Sequence, residues 1–453
     1  MGLTFKSLTR GREIGANSYL LSNGRHRVVL DTGAHPKQKG FQSLPNFSKL
    51  PPQSVDAIVV THAHHDHIGA LPVLQRMQPD TPVFMTEPTG EVGKGMLHNS
   101  VNVMTHQRDE LNINEYPLFT HRELDHIKAN WFYRDLRRPF FIPDTEMECT
   151  FFDAGHIIGS AGFLIKHEGK SLFYTGDVNF EDQTIARAAD FPTEPVDVLV
   201  METTRGDYQR PEGFTRRAEK ERLAALIRET FENDGAVLIP VFALGKSQEL
   251  LLTLHELLEL ELIPKVPVLI GGLSAKMTVL YDRYCAQTRR HYEGFEIFED
   301  MEMLVAPRKR RKELTTSPHT IYALSSGMMS EGTVSNQFAR AFIDNPRNAI
   351  AFVGYTDSET PGWRIRNAKK GERISLDPKL PEVLLNCRVE SFDFSAHAIR
   401  EHLVDYACKV KPKKLILVHG DDSAQQWFKE TLSQLLPDTE IILPEPGVDI
   451  PLW

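Results

Sequence analysis

Five titratable side chains crowd the stretch Thr61-His62-Ala63-His64-His65-Asp66-His67-Ile68-Gly69, which directly follows the apolar run Ala57-Ile-Val-Val60. Imidazole and carboxylate are the ligands that suit a divalent ion such as zinc. A loop at a strand end can fan alternate side chains onto two ions. By alternation His62 and His64 share one side, while Asp66 and His67 can turn to a second ion; His65 is expected to face solvent. The bland alternative is a charged, solvated turn, but four potential ligands at one strand end rarely arise by accident.

Two more apolar runs end in the same way. The run 149–152 leads into Asp153-Ala-Gly-His156, and the run 171–175 leads into Gly176-Asp177. Near the C-terminus Leu417-Val418 precedes His419-Gly420. Singly, such a His or Gly-Asp turn is more often structural. Beside the first motif they supply a third ligand and a bridging carboxylate.

The elements that must position these residues come in two styles. Up to about residue 205 the chain reads as short strands, among them 27–30, ending in Asp31-Thr-Gly, and 196–201, closing the series. A helical insertion is expected at about 121–138, where Leu124, Ile127, Trp131 and Leu136 fall near helical spacing. After about Asp207, helices 215–233 and 245–260 alternate with strands 236–240 and 266–271. Strand 320–324, helix 333–343 and strand 349–353 follow. Such alternation indicates a parallel, Rossmann-like sheet. From about Val389 a loop Phe394-Ser-Ala-His397, a helix to about 407, strand 414–418 and a helix from Ser423 complete the chain.

Composition bounds the answer. The chain has 453 residues, 41% hydrophobic and 25% charged, which excludes disordered, collagenous and membrane-embedded classes and implies two or three domains. The four cysteines are scattered and outside any CxxC spacing, which fits a reducing, cytoplasmic setting. The N-terminus shows no apolar signal region, and no apolar stretch approaches the ~20 residues of a membrane span. A net charge of −9 taken alone argues against a nucleic-acid partner. Its distribution removes that objection. Residues 208–388 hold 26 basic and 24 acidic residues, a net of +2, so the acidic excess lies in the part with the metal-ligand motifs.

The order Asp31, His62-x-His64-x-Asp66-His67, His156, Asp177 resembles the metallo-β-lactamase superfamily. Glu202 in Val-Met-Glu-Thr-Thr-Arg-Gly, His397 in Phe-Ser-Ala-His and His419 in Val-His-Gly-Asp resemble the additional motifs of its β-CASP nuclease branch. The similarity covers essentially the whole chain. It implies an α/β protein: a four-layer αββα metallo-β-lactamase domain from 1–207 and 389–453, with a Rossmann-like β-CASP cap inserted at 208–388. It implies that His62, His64 and His156 hold one zinc, that Asp66, His67 and His419 hold another, and that Asp177 bridges. Two Zn2+ are expected, with Mn2+ as an alternative. Asp31 would orient ligands from behind.

The resemblance further implies a ribonuclease whose hydroxide, activated by two ions, attacks RNA phosphodiesters in the cleft between domains. His397 would be the general acid for the leaving 3′ oxygen, with Glu202 as its charged partner and Asp66 also counted as catalytic. His at 419 resembles RNA-acting rather than DNA-acting members. Relatives commonly carry Asp where this chain has Ile399, two residues past His397. The expected partner is single-stranded RNA, with a homodimer or processing complex also allowed and no membrane. Endonuclease and 5′→3′ exonuclease modes both stay open. A DNA nuclease or an inactive RNA-binding subunit are the alternatives, and the complete ligand set disfavours the second.

Three weaker signals lie in the cap. Pro240-Val-Phe-Ala-Leu-Gly245-Lys246-Ser247 is a near miss to a phosphate-binding loop, but Pro240 stands where the first glycine should be. Lys246, Ser326 and Gly327 are candidate substrate contacts, the latter two through backbone N–H groups. The basic run Arg308-Lys-Arg-Arg-Lys312 is a solvated loop or an RNA contact, and Phe338, Tyr355 and Trp363 are candidates for base stacking.

Overall fold

The fold was taken from a computed structural model that describes residues 2–301, 303–305 and 316–453. The basic run 308–312 lies outside the described residues. The chain forms two compact units, one of Met1–Asp182, Ala188–Arg210 and His397–Trp453, the other of Gln183–Arg187 and Pro211–Ala396.

In the first unit two seven-stranded sheets stack. One runs in the order Asp449–Pro451, Thr4–Ser7, Tyr19–Ser22, Arg27–Leu30, Ala57–Val59, Val83–Met85, Trp131–Tyr133. The other runs Glu440–Ile442, Lys414–Val418, Val198–Glu202, Lys170–Tyr174, Ala161–His167, Glu148–Asp153, Phe140–Phe141. Alternating side chains from both inner faces, Phe5, Phe84, Phe151, Phe163 and Val200 among them, share one core. Each such fully buried large side chain stabilises by about 1.5–3 kcal/mol. Helices Leu71–Met77 and Glu87–Leu111 cover one outer face through Leu74 and Leu97. Helices Arg400–Val410 and Asp422–Leu435 cover the other through Leu403 and Phe428. This is the expected αββα stack.

The second unit is built on a six-stranded sheet in the order Met303–Val305, Val268–Ile270, Ile321–Leu324, Val237–Pro240, Ala349–Phe352, Arg388–Ser391. Every pairing in it is parallel. Its central strands VLIP, IYAL and AIAF are buried along their whole length, as a sheet covered on both faces requires. Helices Arg216–Glu232, Lys246–Glu259, Gly272–Arg283 and Val334–Phe342 alternate with the strands, close to the expected bounds.

One expected element is corrected. The helix at 121–138 ends at Ile127; a short turn follows, and Trp131–Tyr133 is a strand beside Val83–Met85. Three consecutive aromatic residues favour a pleated surface, and Trp131 buries against the sheet, which overrides the chance helical spacing. The 25-residue helix Glu87–Leu111 carries little periodic signal, because Pro88 and glycines 90, 93 and 95 interrupt its first turns. Its start is nonetheless capped by Thr86, whose hydroxyl accepts from the Thr89 N–H.

No described helix is long and apolar enough to cross a membrane. All four cysteines are free thiols.

Candidate metal centre and active site

Parallel strands that end in register bring the residues after them to one edge. Leu30 pairs with Val59, so Asp31 and the Thr61–His67 loop emerge together. In the facing sheet Tyr174 pairs with Val200 and Glu202 with Val418. Asp177, Glu202 and His419 therefore leave the same edge of that sheet.

Three groups of ligand atoms result. His62, His64, His156 and Asp177 form one, Asp66, His67 and His419 a second, and Asp177, Glu202 and His397 a third. Asp177 is the hub. Its Oδ2 lies 3.4 Å from His62 Nε2 and 3.7 Å from His156 Nε2, and its Oδ1 lies 3.2 Å from His67 Nε2 and 3.0 Å from His419 Nδ1. His419 Nε2 is 3.2 Å from Asp66 Oδ2. In the first group His64 Nδ1 and His156 Nε2 face each other at 3.1 Å.

The electrostatics differ between the groups. Burial pushes His62, His64 and His156 down, His64 to about 3, so these imidazoles present neutral lone pairs. Burial also acts to lower His67 and His419, but Asp177 reverses it, with Asp31 adding to the effect at His67 and Asp66 at His419. His67 ends well above the usual range and His419 at about 10. The carboxylates that raise these two rings are the same groups that would favour a divalent cation there.

The donor set fits such ions. His62 Nε2 and Asp177 Oδ1 are buried without an aligned hydrogen bond, a cost that a cation would remove. Two further residues are held in backbone conformations that side chains resist: Asp31 has φ +55° and His419 φ +51°. Gly33 lies against the Asp66 carbonyl so closely that a Cβ would stand 1.7 Å from the oxygen.

Every candidate ligand is thus brought together, and His65 is exposed outside the groups. Asp31 sits behind them. Its Oδ2 is 2.8 Å from His67 Nδ1 and accepts from the Tyr174 hydroxyl at 2.8 Å, while Oδ1 accepts from the Thr61 N–H. Glu202 is 1% exposed; its Oε1 accepts from the Val178 N–H at 2.7 Å, and its Oε2 lies 3.2 Å from His397 Nδ1. Ile399 is the N-cap residue of helix Arg400–Val410 and gives no side-chain cap; His397 is held by Glu202, and the Ala398 N–H next to it donates to the Val178 carbonyl.

Lys246, Ser326 and Gly327 belong to the second unit. Lys246 donates from Nζ to the Phe394 carbonyl, and Ser247 donates to the Phe242 carbonyl. Ser326 Oγ accepts from the Ser330 N–H, closing a turn before helix Val334–Phe342. Phe338 is buried, which removes it from base stacking, whereas Tyr355 and Trp363 are exposed.

Four supporting residues escaped the sequence argument. Asn17 Nδ2 is 3.2 Å from His67 Nε2 and also donates to the Asp66 carbonyl. Thr204 Oγ1 is 3.0 Å from His419 Nδ1. Tyr174 and Thr61 hold Asp31. Only Tyr174 and Thr61 carried a signal, being strand-end neighbours of the motifs.

Comparison with known proteins agrees with this geometry. Residues 11–208 match the model of the metallo-beta-lactamase superfamily, 247–365 that of the beta-Casp domain, and 382–444 that of the Zn-dependent metallo-hydrolase RNA specificity domain. The chain is 30% identical over 443 residues to transcription termination factor FttA of Methanocaldococcus jannaschii, covering 94% of this chain and 68% of that one. It is 30% identical over 441 residues to endoribonuclease ysh1 of Schizosaccharomyces pombe, covering 95% and 56%. The chain spans between about half and two thirds of the length of these curated relatives. A protein of unknown function from Enterococcus faecalis shares the fold over 99% of both chains, with a TM-score of 0.58 at 15% identity.

Proposed function

The chain belongs to the β-CASP family of the metallo-β-lactamase superfamily, and from that premise we propose that it is a zinc-dependent ribonuclease acting in RNA processing or decay. The observation that carries this is the convergence of three ligand groups on Asp177 with the His397–Glu202 pair beside them. Two Zn2+ fit, one on His62, His64 and His156, the other on Asp66, His67 and His419, with Asp177 shared; Mn2+ is the alternative ion.

Divalent ions at such a site supply positive charge against phosphate oxygens and lower the pKa of water. The protein's own part is positioning and proton transfer. Asp31, Asn17 and Thr204 fix the rings of His67 and His419. His397 turns Nδ1 to Glu202, leaving Nε2, 4.0 Å from Asp177 Oδ2, as the atom that delivers a proton to the departing 3′ oxygen. Glu202 keeps the proton-bearing tautomer in place. Asp66 joins ligand and catalytic roles because it also faces the His419 Nε2. The free thiols suit a reducing cytoplasm.

The test is cleavage of end-labelled single-stranded RNA by the metal-loaded full chain, with DNA of the same sequence as competitor. RNA cleavage that Asp66→Ala abolishes is expected. An inert wild type with its metals bound, or an Asp66→Ala variant of full activity, would overturn the proposal. The positions of the labelled products decide between endonuclease and exonuclease modes.

A further inference from the structure

Residues 1–50 hold eight Lys and Arg against two acidic residues, a net of +6 in a chain of −9. The same stretch walls a polar cavity of about 240 Å³, whose lining includes Arg10, Glu13, Gly15, His35, Gln38 and Gln42.

His35 lines the cavity and is 7% exposed. The backbone N–H groups of Lys37 and Gln38 both donate to its Nδ1, at 3.0 and 3.2 Å. Nδ1 is therefore an acceptor, and the ring proton sits on Nε2. That buried N–H finds no aligned hydrogen bond. It faces Oε2 of Glu13 at 3.5 Å. Gly15 makes room for the ring, since a Cβ there would stand 2.8 Å from His35 Cδ2. Glu13, with its side chain 45% exposed, is thereby drawn to the cavity's edge with lone pairs left for a ligand. Arg10 is fixed in the wall by bonds from Nε to the Leu44 carbonyl and from Nη2 to the Phe41 carbonyl.

Both loops of this cavity are bonded to the metal-ligand loop. Asn17, next to Ala16 of the lining, donates its N–H to the Asp66 carbonyl at 3.0 Å, and Ala34, next to His35, donates to the His65 carbonyl at 2.9 Å. The two loops that line the cavity are thus anchored on the backbone that carries Asp66 and His67.

We propose that the cavity takes one base of the RNA beside the scissile bond and that Glu13 reads it. Single-stranded RNA is recognised by hydrogen bonds to base edges that are splayed out of the stack. A carboxylate accepts only, so it selects a base with N–H donors on its Watson–Crick edge. Guanine fits best: N1–H and the N2 amino group face Glu13, and the amide N–H groups of Gln38 and Gln42 can meet O6. Arg10 in the lining attracts a flanking phosphate. This inference rests on the ribonuclease reading of the same site and adds a specificity-determining residue to it.

The experiment has two arms, each with wild type, Glu13→Gln and Glu13→Ala as full-length, metal-loaded chains. In the first, guanosine, adenosine, cytidine and uridine are titrated and followed by saturation-transfer NMR; nucleosides carry no phosphate for the metals to capture. Wild type is expected to prefer guanosine by about tenfold, and both variants to lose that preference. Unchanged thermal melting shows that the variants are folded. In the second, RNAs with guanine replaced at each position around the cut are compared, and one position should matter in wild type and not in Glu13→Ala. Equal binding of all four nucleosides, or a guanine preference that survives Glu13→Ala, overturns the inference. Guanosine selectivity without RNA cleavage overturns the ribonuclease reading and leaves the pocket standing.

Discussion

His397 Nδ1 lies 3.2 Å from Oε2 of Glu202, a carboxylate that is itself buried and pinned by the Val178 N–H. One ring nitrogen is thus committed to a fixed acceptor, and the other is left for the reaction. Replacing His397 by Ala should lower kcat by about 10²–10⁴-fold with metal content unchanged. A phosphodiester with an activated phenolate leaving group, which needs no proton, should lose much less. Glu202→Gln should act in the same direction more weakly. Equal losses on both substrates would place His397 outside proton transfer.

Asp177 is the one side chain that all three ligand groups reach or adjoin, and it is 2% exposed. Asp177→Asn keeps the shape but removes the negative charge. Metal content by mass spectrometry should fall for both positions, and RNA cleavage should fall with it. Dialysis against a strong chelator should inactivate the wild type, and adding back Zn2+ or Mn2+ should restore cleavage.

Asp31 touches His67 Nδ1 at 2.8 Å and has no place among the ligand groups. Partners of this kind are worth about 10–100-fold in metal affinity or activity. Asp31→Asn is expected to cost that much in metal affinity, measured by competition with a chromophoric chelator. Tyr174→Phe, which removes only one bond to Asp31, should cost less.

In the second unit Glu249 is buried and accepts from Arg216 at 2.9 Å and from the N–H groups of Thr184 and Ile185. Burial acts to raise its carboxyl, but Arg216 and these N–H groups more than reverse that and leave it below the usual range. A lowered folded pKa contributes stability above the unfolded value and loses it as pH falls through the folded one. Urea melts should therefore weaken from pH 5 downward less steeply in Glu249→Gln than in wild type. At pH 7 that variant should be destabilised by about 3–5 kcal/mol, because Arg216 is left without its partner.

Much of the site was legible because metal ligation leaves a local record. His62, His64, Asp66 and His67 lie within six residues, and His156, Asp177 and His419 each follow an apolar strand. Strand periodicity and strand ends are properties of neighbouring residues, so they can be read along the chain. The alternating helices and strands of 211–396 were equally plain. The segment 121–138 was not, because Trp131–Tyr133 becomes a strand through pairing with Val83–Met85, a partner that spacing cannot reveal.

Residue types and their order along the chain were enough to name the candidates for holding two divalent ions. Asp177 was expected between them, but the folded chain was needed to show that Asn17 and Thr204 back the groups and that Glu13 and His35 share a cavity wall. Those relations join residues far apart in the chain, as with Thr204 and His419, separated by 215 positions. They depend on sheet register and on which protons the buried groups keep, and both are settled by packing rather than by local propensity.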